Sequence, residues 1–235
     1  MTDKSKNLTP SSRSEIDAFL KKAANVPQTV LDSKKGRLMF AIDATASREA
    51  TWDHACQLQA SMFVETAQMG GLNIQLCYYR GFSEFRTSPW VSNSDDLLRY
   101  MSAVRCLGGH TQIGKILRHA VMETKQNKIN AIVFVGDCLE ENIDDLSHTA
   151  GELALLGVPI FIFHEGHDAV ASRGFRHLAQ LTGGAYCPFD HNSAKQLKEL
   201  LSAVAVYAAG GFKALENFNK RQGKVVLQLI QQKDR

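Results

Sequence analysis

The chain has 235 residues, 44% of them hydrophobic and 22% charged, with a formal net charge of +3. This is enough apolar material for one large core, and it fits one domain better than two. The charge is too small, and the Lys and Arg residues too dispersed, for nucleic acid to be the main partner.

The first 35 residues are polar, but Ile16, Phe19, Leu20 and Ala23 share one face of a short predicted helix, an extension that docks on the domain. They contain no apolar stretch of signal-peptide length, and no run of about 18 apolar residues suggests a membrane span, so a cytoplasmic protein with no membrane partner is expected. From Leu38 strands and helices alternate. RLMFAID reads as a buried strand, and REATWDHACQLQASMFVETAQM as one helix that Gly70 and Gly71 end. LNIQLCYYR and EFRTSPWVS, joined by GFS, read as a hairpin whose second strand Pro89 places at a sheet edge. Next come two helices, SDDLLRYMSAV and TQIGKILRHAVMETKQN, then the strand NAIVFVGD and the helix DDLSHTAGELALLG. The strand VPIFIFHEG, the helix AVASRGFRHLAQLTGG, the short strand AYCPF and the helix SAKQLKELLSAVAVYAAGG complete the series. After Gly210 and Gly211, the tail to residue 235 is expected to be helical. Five cysteines, Cys56, Cys77, Cys106, Cys138 and Cys187, lack the spacing of a zinc ribbon or redox motif and are expected to be reduced, mostly buried thiols.

This alternation predicts an α/β fold over residues 36–209, doubly wound, with a mostly parallel sheet, one antiparallel edge strand and helices on both faces. Ligands bind such sheets beyond the carboxyl ends of the strands, where strand order reverses. Asp43 ends one buried strand and Asp137 another. In FAIDATASREA, Asp43, Thr45 and Ser47 recur at every second position. Ordinary turn and helix-capping roles would account for them.

Asp43-Ala44-Thr45-Ala46-Ser47, with Thr111 in Gly-Gly-x-Thr-x-x-Gly and Asp137 in VFVGDC, resembles the metal-ion-dependent adhesion site of von Willebrand factor A (vWA) domains. That site combines Asp-x-Ser-x-Ser after the first strand, a distant loop Thr and a strand-end Asp. Here Thr45 replaces the first Ser, and Gly136-Asp137-Cys138 replaces the frequent Thr-Asp-Gly. The resemblance covers about residues 36 to 207. It implies a Rossmann-like vWA fold of the intracellular prokaryotic type. It also implies a Mg²⁺ or Mn²⁺ ion bound directly by Ser47, Thr45 and, in the ligand-competent state, Thr111, with Asp43 and Asp137 acting largely through water. Mg²⁺ prefers six oxygen ligands and keeps several waters, which such a set accommodates. An open position could then accept an Asp or Glu from a partner protein. The implied function is a non-enzymatic interaction module, an intracellular scaffold or adaptor whose partners include ATPase complexes.

Other signals compete. GHTQIGKI, residues 109–116, approaches a phosphate-binding loop, but Ile116 stands where a hydroxyl should hold Mg²⁺ and no strand precedes it. His164, His167, Asp168, Cys187 and His191 cluster near strand ends, yet the His-x-x-His pair lies in a loop, which favours separate packing and surface roles over zinc. Glu140, Glu141, Asp144 and Asp145 read as an acidic helix start, with an acidic rim as the alternative. A Mg²⁺ phosphohydrolase with Asp43 as nucleophile would want a second Asp as general acid where Thr45 stands, and a hydroxyl cannot supply that proton transfer.

Overall fold

The structure is a computed structural model describing residues 35–67, 71–189 and 194–221. The expected extension helix before residue 35 and the tail after residue 221 lie outside the described residues. Among the described residues, six strands form one sheet in the order β3-β2-β1-β4-β5-β6. They are β1 (Gly36–Asp43), β2 (Leu72–Arg80), β3 (Glu84–Thr87), β4 (Ala131–Gly136), β5 (Ile160–Glu165) and β6 (Ala185–Phe189). All neighbours pair in parallel except β2 and β3, whose hairpin puts an antiparallel strand at the edge as the sequence predicts. Pro89 lacks an N–H and lies just past β3; pairing with β2 resumes only as a single bridge between Ile74 and Val91.

The period-two alternation of β1 decides the layering. Leu38, Phe40 and Ile42 point into a core formed with α1 (Glu49–Leu58), α2 (Ala60–Thr66), α3 (Ser94–Ser102) and α7 (Ala194–Arg221). Met39 and Ala41 point the other way, into a core with α4 (Ile113–Gln126), α5 (Ile143–Leu155) and α6 (Ala169–Leu181). Helices therefore cover both faces. All five β1 residues from Leu38 to Ile42 are fully buried. Each large apolar side chain so placed contributes roughly 1.5–3 kcal/mol of burial.

The first helix runs through Gln59, which keeps a helical φ of −58° and ψ of −31°, with one irregular turn between α1 and α2. There Ser61 Oγ donates to the Leu58 carbonyl at 2.7 Å and the Met62 N–H turns to the Gln59 carbonyl at 3.1 Å, an i→i+3 bond that tightens the turn. Gly211, at φ 69° and ψ −166°, interrupts the last helix where the sequence places its end, and helix resumes beyond it to Arg221, as expected for the start of the tail. Strand order reverses between β1, which is followed by β2 on one side, and β4 on the other. Asp43 and Asp137 sit at the carboxyl ends of these two neighbours.

Candidate metal centre

Asp43, the last residue of β1, is fully buried. Its Oδ1 accepts the Thr45 backbone N–H at 2.7 Å, and its Oδ2 accepts the hydroxyl of Tyr79, its register partner on β2, at 3.1 Å. Burial raises the Asp43 pKa, while the bonds from Thr45 pull it down. Burial, then the Asp43 charge, pushes the Tyr79 phenol well above its usual range, so it stays a donor.

Helix capping does not account for the hydroxyls. Thr45 and Arg48 hold the N-cap positions of the 3₁₀ turn (Ala46–Arg48) and of α1, and neither makes a side-chain cap bond. Ser47 Oγ instead reaches 90 residues along the chain to donate to Asp137 Oδ2 at 2.7 Å, and Thr45 Oγ1 lies 3.3 Å from Ser47 Oγ. Asp43, Thr45, Ser47 and Asp137 thus form one connected set of oxygens.

Asp137 is fixed by its backbone. His164 on β5 donates from Nε2 to the Asp137 carbonyl at 3.1 Å, and its Nδ1 accepts from the Tyr186 hydroxyl at 2.8 Å. A carbonyl only accepts, so the proton sits on Nε2; burial lowers the His164 pKa and keeps the ring neutral. Gly136 has a local reason. A Cβ there would meet the Phe134 ring at 2.7 Å, and that ring stacks on Tyr79.

Thr111 is not bonded to the other four. Its Oγ1 accepts the Glu140 N–H at 3.0 Å, and its own N–H donates to Glu140 Oε2 at 2.8 Å, tying it to the loop that carries Asp137. Glu141 takes the N–H groups of Ile113, and of Gly114 at 2.8 Å. Glu141 therefore caps α4 and Glu140 holds the segment just before it, rather than the helix that follows them, while Asp144 and Asp145 occupy the first turn of α5. In GHTQIGKI, the amides of Thr111, Ile113 and Gly114 are taken by these carboxylates and those of His110 and Lys115 by backbone carbonyls, so none of these is left for a phosphate.

The zinc alternative fails on placement. His164 faces the α6 side against Phe175, whereas Cys187 belongs to the core on the opposite face of the sheet. His191 lies outside the described residues. Among the described residues, no group of three or more His, Cys, Asp or Glu could hold a metal. A site rich in hydroxyls is of another kind. Adjacent oxygen ligands of an octahedral Mg²⁺ lie about 3 Å apart, given bonds of 2.0–2.1 Å. The 2.7 and 3.3 Å separations along Asp137, Ser47 and Thr45 fit that spacing, and all these donors are hard oxygens.

No family model and no curated protein sequence matches the chain. Solved structures do. A von Willebrand factor type A protein from Catenulispora acidiphila superposes with a TM-score of 0.61 at 14% identity, covering 73% of this chain and 43% of that one. The SpRpn10 VWA domain gives 0.57 at 15% identity, covering 75% and 97%. The chain has the von Willebrand factor A fold. It spans less than half of the Catenulispora protein and nearly all of the SpRpn10 domain. Proximal thread matrix protein 1 from the mussel byssus, solved with a zinc-occupied MIDAS motif, shares the vWA fold at a TM-score of 0.53 and 15% identity, covering 75% of this chain and 47% of that one. The sequence motifs pointed to Asp43, Thr45, Ser47, Thr111 and Asp137. Tyr79 carried no signal, and His164, Glu140 and Glu141 were read for other roles, yet all four orient those residues from other elements.

Proposed function

We propose that this vWA-fold chain is a non-enzymatic, metal-dependent interaction module, in which Mg²⁺ or Mn²⁺ at Asp43, Thr45, Ser47, Thr111 and Asp137 receives an Asp or Glu side chain from a partner protein. The observation that carries this reading is the 2.7 Å bond from Ser47 to Asp137, which joins the two motif segments where a cap would have kept Ser47 local. Thr45 and Ser47 offer neutral oxygens, and Asp43 and Asp137 balance the charge. The bound ion would act as an electrophile for the incoming carboxylate. Tyr79 and the Thr45 N–H hold both oxygens of Asp43, and the residue is fully buried, which favours a supporting role over that of a phosphohydrolase nucleophile. Thr111, fixed to the Asp137 loop through Glu140, would move into contact when the partner loads.

Among the described residues no helix is long and apolar enough to cross a membrane. A cytoplasmic scaffold, with an ATPase assembly among its partners, suits this reading. The test is capture of partners from native cells by the tagged protein, with Mg²⁺ or with chelator. A specific protein should be retained only with the ion and be lost with Asp137→Ala. Retention regardless of ion and variant would contradict the proposal, and so would phosphate-ester turnover abolished by Asp43→Asn.

A further inference from the structure

Arg48 follows Ser47 directly, at the start of a helix, where a long cationic side chain ordinarily reaches solvent. Here it is 1% exposed. Its guanidinium pairs with Glu165 at the end of β5, while its Nε and Nη2 are buried without a hydrogen-bond partner. Burying an ion is costly unless neighbouring charges compensate. Those charges are at hand. β4 and β5 pair in register Gly136 with His164, so Asp137 and Glu165 each lie one residue past that pair on neighbouring strands. Burial lowers the Arg48 pKa, and the charges of Asp137 and then Asp43 work against that lowering. Arginine does not lose its proton inside proteins, so this cation is permanent. Asp43, Asp137 and Glu165 supply three negative charges against its single positive one, and a divalent ion would close the balance.

We propose that Arg48 is a tethered counter-charge of the candidate metal centre: it holds Asp43 and Asp137 side by side without an ion, and it opposes a divalent cation so that the resting site binds Mg²⁺ weakly. The proposal rests on the metal reading above and deepens it. A partner carboxylate arriving at the ion adds the negative charge that offsets Arg48, so metal and partner would bind cooperatively. Ions at such distances in a poorly screened interior feel one another strongly.

Calorimetric titration of Mg²⁺ at fixed ionic strength, with thermal melts in chelator, tests this in four forms of the protein. Arg48→Met should bind Mg²⁺ at least about tenfold more tightly than wild type and melt lower in chelator, whereas Arg48→Lys should stay within about threefold of wild type. Glu165→Gln, which deprives the guanidinium of its paired anion, should bind at least about threefold more weakly. Wild-type or weaker affinity in Arg48→Met would overturn the counter-charge. Should that variant not fold, wild-type or tighter affinity in Glu165→Gln would overturn it equally. Mg²⁺ binding by none of the four forms, wild type included, would overturn the metal reading itself and this proposal with it.

Discussion

Magnesium is expected to raise the melting temperature of the wild-type protein relative to chelator, and this shift should vanish in Asp43→Ala and Asp137→Ala. An ion that binds only the folded chain stabilises it by about 2.7 kcal/mol at one hundred times its dissociation constant, worth roughly 5–10 °C for a domain of this size. The two variants should differ in chelator. Asp43→Ala strands the Tyr79 hydroxyl and the Thr45 N–H inside the core, whereas Asp137→Ala frees the exposed Ser47 hydroxyl, and each variant takes one negative charge from the neighbourhood of Arg48. Each buried donor left unsatisfied costs about 1–3 kcal/mol, so Asp43→Ala should melt lower. A metal response unchanged in both variants would remove the proposed site.

The second large effect is expected at Gly109. A Cβ there would lie 1.9 Å from the Gly81 carbonyl oxygen and 2.1 Å from its carbon, both backbone atoms that cannot swing aside. The close approach is held by several bonds. The His110 N–H donates to the Gly81 carbonyl at 3.2 Å, Gln112 Nε2 donates to the Arg80 carbonyl at 3.2 Å, and the Leu107 N–H donates to the Ala44 carbonyl at 3.0 Å. These bonds moor the loop before Thr111 to the end of β1 and to the β2–β3 turn. Gly109→Ala should push the loop off this mooring at about 1–3 kcal/mol, speed amide exchange at Leu107 and His110, and abolish ion-dependent capture of a partner. Gly108→Ala is the control, since nothing lies within 4 Å of its added carbon. Thr111→Val falls between them: it strands the Glu140 N–H at about 1 kcal/mol while leaving the loop in place. Equal melting and exchange in the Gly108 and Gly109 variants would show that the loop is not held as described.

The order of strands and helices, the antiparallel edge and the carboxylates at two strand ends were legible because each rests on local pattern. Apolar runs stop at Asp43 and Asp137, and a parallel sheet carries both to the same edge. What was not legible depends on distant segments. The motif could not tell a capping Ser47 from one that bonds Asp137, because that choice is made 90 residues away. Glu140 and Glu141 look like the start of the next helix, yet Glu141 satisfies the first two amides of α4, 27 and 28 residues before it, and Glu140 the Thr111 amide 29 residues before it. Arg48 looks like a helix-surface cation, yet it is buried, pairs with Glu165 and feels the charges of both strand-end carboxylates. The irregular turn after Gln59, where a serine hydroxyl takes a helix carbonyl, is a detail that helical periodicity does not register.

The central claim is that a divalent ion sits among the oxygens of Asp43, Thr45, Ser47 and Asp137. Crystals grown or soaked with Mn²⁺ test it most directly, because manganese scatters anomalously and its position is read without interpretation of neighbouring water. The account predicts a single strong anomalous peak bonded to Ser47 Oγ and Thr45 Oγ1 at about 2.1–2.3 Å, slightly longer than the 2.0–2.1 Å bonds of Mg²⁺. A saturating soak that leaves these hydroxyls without a peak, or places the manganese elsewhere on the domain, would contradict it.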